Sequence, residues 1–151
     1  MLNLQLKKNN NMIWETSIKT IVTDEKGNDR NITSRYIIEN AELFGEVESK
    51  LYEEFGSETG FEVATIKISK LREIINEAPQ GETECKIYFA TIVDKFYDAE
   101  KDITTEIKYV VALFAHDINE AHQAIGQYMK QGLEDMELVA IKETKYLGVL
   151  K

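Results

Sequence analysis

The side chains able to do chemistry are few. Cys85 is the single cysteine, and His116 and His122 are the only two histidines. The histidines flank the expected start of a helix six positions apart, so they point to different faces and do not chelate as an i, i+4 pair would. HDINEAH also lacks the zinc-protease spacing. Cys85 falls on the inward parity of an expected strand, where a buried, inert thiol is the default, and the sequence supplies no adjacent base to activate it. Carboxylates abound, but Glu42, Glu46, Glu48, Glu53 and Glu54 fall on the solvent side of one helical stretch, as a charge run usually does. The scattered glycines make no phosphate-binding loop. From these residues we expect no enzyme, no metal and no cofactor.

The elements that must carry any site follow an internal repeat. Ile32 to Ile75 lies over Thr105 to Leu150, with Tyr36 meeting Tyr109, Ile38 meeting Val111, Leu51 meeting Ile125 and Ile66-Lys67 meeting Ile141-Lys142. Upstream, Trp14 to Val22 is laid over Cys85 to Val93. In the first copy Trp14, Thr16, Ile18, Thr20 and Val22 alternate with polar residues, the period of a half-buried strand. Gly27 and Asn28 supply a hairpin turn, and Ile32, Ser34, Tyr36 and Ile38 continue the alternation on the way back. Leu43, Phe44, Val47, Leu51 and Phe55 form the stripe of an amphipathic helix with Gly56 as its cap, and FEVATIKI returns as a third strand. In the second copy DINEAHQAIGQYMKQG supplies the helix, with Asp117 and Asn119 as candidate caps. The expected fold is α+β: a tandem ββαβ repeat forming a largely antiparallel sheet, with both helices on one face. Residues 12–77 are the first repeat, 78–83 the linker around the single proline, and 84–151 the second, with one shared core because each half is small. Residues 1–11 are read as a flexible tail or an exchanged strand, and unprotected sheet edges point to a homodimer.

Charge narrows the function further. The chain has 151 residues, with 27 acidic against 18 basic side chains and a net charge of −9. That balance argues against a broadly basic binder of duplex DNA or of anionic membrane. No apolar run is long enough to cross a bilayer, and a cytoplasmic location is expected. The acids concentrate in the helices: Asn40 to Gly60 holds one lysine against six acids. The strands are mildly basic. Lys19, Arg35, Lys86 and Lys108 fall on the parity opposite Trp14 and Tyr36, and Lys67 and Lys142 join them in the register expected for the third strands, on a sheet face that helices on the other side leave open. Such a face suits single-stranded DNA or RNA: cations meet phosphates, and bases stack on rings for about 1–3 kcal/mol each. Tyr88, on the same parity, and Phe96 and Tyr97, placed at the second hairpin tip, are the stacking candidates.

Trp14 opening the first strand, the step Tyr36-Ile37-Ile38, the acid-rich helix and the closing strand VATIKISK with its echo LVAIKETK carry a resemblance. Over Met12 to Lys151 the chain resembles a domain family of unknown function found in Bacteroidota and their crAss-like phages. The resemblance implies single-stranded DNA binding in replication and transfers no catalytic residue. Glu84-Cys85 departs from it, standing where an aromatic residue is expected. The expected function is therefore a non-enzymatic single-stranded nucleic-acid-binding protein of a phage or mobile element. The alternative is an acidic adaptor that engages a host or replication protein.

Overall fold

The computed structural model describes residues 12–79, 82–132 and 135–151; the expected N-terminal tail or strand lies outside them. In chain order the elements are β1 (Trp14–Thr23), β2 (Asp29–Ile38), α1 (Phe44–Phe55), β3 (Glu62–Ile68), β4 (Leu71–Ile75), β5 (Lys86–Asp98), β6 (Ile103–Ala115), α2 (Ile118–Lys130), β7 (Asp135–Glu143) and β8 (Tyr146–Leu150). Two strands, a helix and two strands thus occur twice, one strand more per half than ββαβ.

The strands form two four-stranded sheets, ordered β3-β1-β2-β8 and β4-β6-β5-β7, in place of the single sheet expected. Both are mixed: the β2/β8 and β4/β6 pairs are parallel and the rest antiparallel. The short strands β4 and β8 each join the sheet of the other hairpin. There they cover the outer edge of β6 and of β2, whose backbone N–H and C=O groups would otherwise lie open. The chain consequently divides into a unit of residues up to Ser69 plus Lys145–Lys151 and a unit of Lys70–Thr144. The hydrophilic stretch 78–83 is a connection inside the second unit, and each unit has its own core.

In the first unit the even-numbered residues of β1 face α1. Trp14, Ile18, Ile38, Ala41, Val47 and Leu51 form the core, with Tyr36, Phe55, Val63, Ile66 and Leu150 packed against it. The Trp14 indole N–H donates to the Ala41 carbonyl at 2.8 Å, and the Thr16 hydroxyl to the Tyr36 carbonyl at 2.8 Å, so burial leaves neither group unpaired. The helical stripe is narrower than expected. Leu43 is extended and precedes the helix, and it and Phe44 are 65% and 55% exposed. Gly56 has right-handed backbone angles and is no left-handed cap.

In the second unit Tyr88, Ala90, Ile92, Val111, Leu113, Ala115, Ala121 and Ile125 form the core. Asp117 caps α2, accepting from the Glu120 N–H at 2.8 Å. Here the sequence alignment of the two halves needs correction. Trp14 pairs with Ile38 and Ile68, and Tyr88 with Leu113 and Glu143. The β1/β3 and β5/β7 ladders carry the same bulge three residues further on, at Ser17/Ile18 and at Thr91/Ile92. Trp14 therefore corresponds to Tyr88, the aromatic residue missing at Cys85. Laying Trp14 on Cys85 is off by an odd number of residues, which turns every side chain of β5 to the wrong face.

Candidate functional site

The first-sheet face turned away from α1 is built from the odd-numbered residues of β1. Three rows cross it: Lys67–Glu15–Ile37, Thr65–Ser17–Arg35 and Glu62–Lys19–Thr33. Lys19, Arg35 and Lys67 therefore share one face, and all three are exposed. Strand β8 extends the middle row by setting Tyr146 beside Arg35. Ser17 and Thr65 share a hydroxyl hydrogen bond of 2.6 Å, and the Tyr146 hydroxyl donates to the Glu15 carboxylate. Burial, followed by that bond and the Glu15 charge, pushes the Tyr146 phenol well above its ordinary value. The expected bare platform is partly closed: Ile37 is 0% and Ser17 7% exposed although both point away from α1. What stays accessible is the hairpin half around Lys19, Thr33 and Arg35, with Lys67 on β3.

The second sheet distributes the remaining candidates differently. Lys108 pairs with Val93 and Lys142 with Phe89, on the face turned from α2. Lys142 shares a row with Phe89 and Ala112, Val110 and Leu71 lie in the row between, and Lys108 shares its row with Val93 and Glu137. Lys86 and Tyr88 lie on the opposite face. Tyr88 is 3% exposed in the core and cannot stack on a base, while Lys86 is held by Glu143 at 3.1 Å. Phe96 and Tyr97 belong to β5 and not to the turn; Phe96 is half-buried opposite Thr105. Tyr97 is 64% exposed, but its hydroxyl donates to Asp102 at 2.6 Å, which anchors the ring beside its own hairpin.

A cluster not anticipated from the sequence lies at the other end of the β5/β6 hairpin. Pairing of Lys86 with Ala115, carried one residue further, sets Cys85 opposite His116. The Cys85 Sγ lies 3.6 Å from His116 Nε2, and His116 Nδ1 lies 2.9 Å from a Glu120 carboxylate oxygen. Glu82 brings a further carboxylate, and its oxygen, the thiol sulfur and an imidazole nitrogen lie within 4.8 Å of one another. The hydrogen bond and charge of Glu120 raise the imidazole pKa. Partial burial and the neighbouring Glu82, Glu120 and Glu84 raise that of the thiol. A thiol held protonated by its surroundings is a poor nucleophile. The signal in the sequence was the His116/Glu120 spacing of four at a helix start; the partnership with Cys85 needed the hairpin register.

Among the described residues no helix is long and apolar enough to cross a membrane. No curated protein and no solved structure matches the chain. Its residues 12–151 match a domain of unknown function, DUF4494, and the chain belongs to that family.

Proposed function

We propose that this DUF4494 chain is a non-enzymatic protein that binds single-stranded nucleic acid, DNA in the first instance, through the hairpin half of its first sheet. The observation that carries this reading is the gathering of Lys19, Arg35 and Lys67 on one face, interleaved with the hydroxyls of Thr33 and Thr65. Cations at strand spacing meet successive phosphates, and hydroxyls donate to the same oxygens. The acidic helices repel the same strand and confine it to this face. Lys108 and Lys142 stand on the second sheet and are not counted among these contacts. The resemblance to phage and Bacteroidota proteins fits a role on a phage or mobile element in the bacterial cytoplasm, and the two ββαββ stretches fit descent from a duplicated ββαβ unit. The test is fluorescence anisotropy with a short mixed-sequence oligodeoxynucleotide at several salt concentrations. Three phosphate contacts predict a log–log salt slope of about −2. Absence of binding at low salt defeats the proposal.

A second reading rests on α1. Leu43, Phe44 and Tyr52 are 65%, 55% and 56% exposed and stand among Glu42, Glu46, Glu48 and Glu53. An apolar patch rimmed by acids suits a basic partner protein, the adaptor role. A nuclease-resistant partner whose capture is lost in Phe44→Asp supports this reading, and a nuclease-sensitive one supports the first.

A further inference from the structure

Glu82 and Cys85 come from the connection before β5, and His116 follows the last residue of β6. They supply one sulfur, one imidazole nitrogen and one carboxylate. We infer that they form a binding site for a borderline-soft divalent cation, Zn2+ in the cell, with Glu120 as the residue that positions His116. The inference is independent of nucleic-acid binding.

Three observations support it. Zn–S bonds of about 2.3 Å and Zn–N bonds of about 2.0–2.1 Å at a tetrahedral angle separate sulfur from nitrogen by about 3.5 Å, and Cys85 Sγ lies 3.6 Å from His116 Nε2. The two atoms already span one edge of the coordination polyhedron. The ring is also oriented: Nδ1 lies 2.9 Å from a Glu120 carboxylate oxygen able to accept its proton, and Nε2 is the nitrogen that faces the sulfur. A carboxylate behind a histidine is the usual means of orienting a metal-bound imidazole. Finally, Glu82 is exposed and its oxygen lies within 4.8 Å of both other donors, so a side-chain rotation completes a third bond. Sulfur and imidazole select against Ca2+ and Mg2+, which take oxygen ligands. On binding, the Cys85 S–H bond breaks as the S–Zn bond forms and the imidazolium gives up its Nε2 proton as the N–Zn bond forms, both protons passing to solvent, while the Nδ1–H stays hydrogen-bonded to Glu120. Three protein donors leave a position for water.

Matched on the helix caps Leu43 and Asp117, His116 and Glu120 correspond to Glu42 and Glu46 in the first unit. That unit keeps the carboxylate and has a glutamate in place of the histidine.

The test titrates the full chain with Co2+ and then Zn2+. A thiolate-to-cobalt charge-transfer band saturating at one ion per chain, and erased by one equivalent of Zn2+, is expected. Cys85→Ser removes the band, and His116→Ala and Glu120→Gln weaken Zn2+ by about tenfold or more in competition with a chromophoric chelator. Because the chain has one cysteine, alkylation by iodoacetamide reads this thiol alone in the unmodified protein, and Zn2+ is expected to slow it. Absence of the charge-transfer band, alkylation indifferent to Zn2+, or folded variants that bind Zn2+ as the parent does would each overturn the site.

Discussion

The two units share strand order, the placement of the parallel edge strand and the position of the bulge beside the first strand, yet the sheet faces turned from their helices differ in chemistry. Where the first unit has Glu15, Lys19, Arg35, Thr65 and Tyr146, the corresponding positions of the second hold Phe89, Val93, Val110, Ala140 and Leu71. The backbone lattice is the same, and only the side chains decide which face is polar. In the opposite sense, the second unit has His116 where the first has Glu42, and so acquires the thiol–imidazole cluster. Backbone architecture is therefore silent about function here, and the residues that break the correspondence are where chemistry is to be sought.

The comparison breaks most violently in the cores. Trp14→Ala removes a ring 5% exposed and its bond to the Ala41 carbonyl, and the expected cost is about 3–5 kcal/mol. Tyr88→Ala in the second unit is expected to cost a similar amount if the two aromatics are equivalent. Denaturant unfolding measures both, and a loss below about 1 kcal/mol at Tyr88 rejects the equivalence. The helix starts differ more subtly. Asp117→Ala is expected to cost about 1 kcal/mol by removing the α2 cap, whereas α1 has no side-chain cap. Leu43→Asp should therefore stabilise the first unit by roughly the same amount, a gain readable as a higher thermal midpoint. Smallest is the alkaline response. The folded chain holds the Tyr146 proton more tightly than the unfolded chain, whose tyrosines ionise near the ordinary value of 10.0. That contribution is complete below this value and is lost as pH rises through it towards the folded value. Glu15→Gln removes the neighbouring charge, so the Tyr146 phenolate should form at lower pH in an ultraviolet titration.

How much of this was legible in the sequence depends on how many faces of a strand are buried. β1 alternates cleanly because Lys19 and Glu15 share a face with little apolar company, and parity alone puts Lys19 and Arg35 together, whereas Lys67 joins them through the register of β3. β5 is apolar on both parities, Ile87 and Phe89 on one and Tyr88, Ala90 and Ile92 on the other, so alternation gave no register and Tyr88 went to the wrong side. The Asp117 cap was local and readable. The exchange of β4 and β8 was not, because short segments such as LREII and YLGVL do not encode which strand they join. Neither was the nearness of Cys85 to His116, which lies in the ladder between β5 and β6 and in no local pattern.

The central claim is that the polar face of the first sheet grips a single strand while its apolar counterpart does not. The direct measurement compares Lys19→Glu/Arg35→Glu with Lys108→Glu/Lys142→Glu in one oligonucleotide titration at low salt. We predict that the first pair abolishes binding, while the second leaves the affinity and the salt slope nearly unchanged. Equal losses in the two pairs, or retention of binding by the first, would contradict the account.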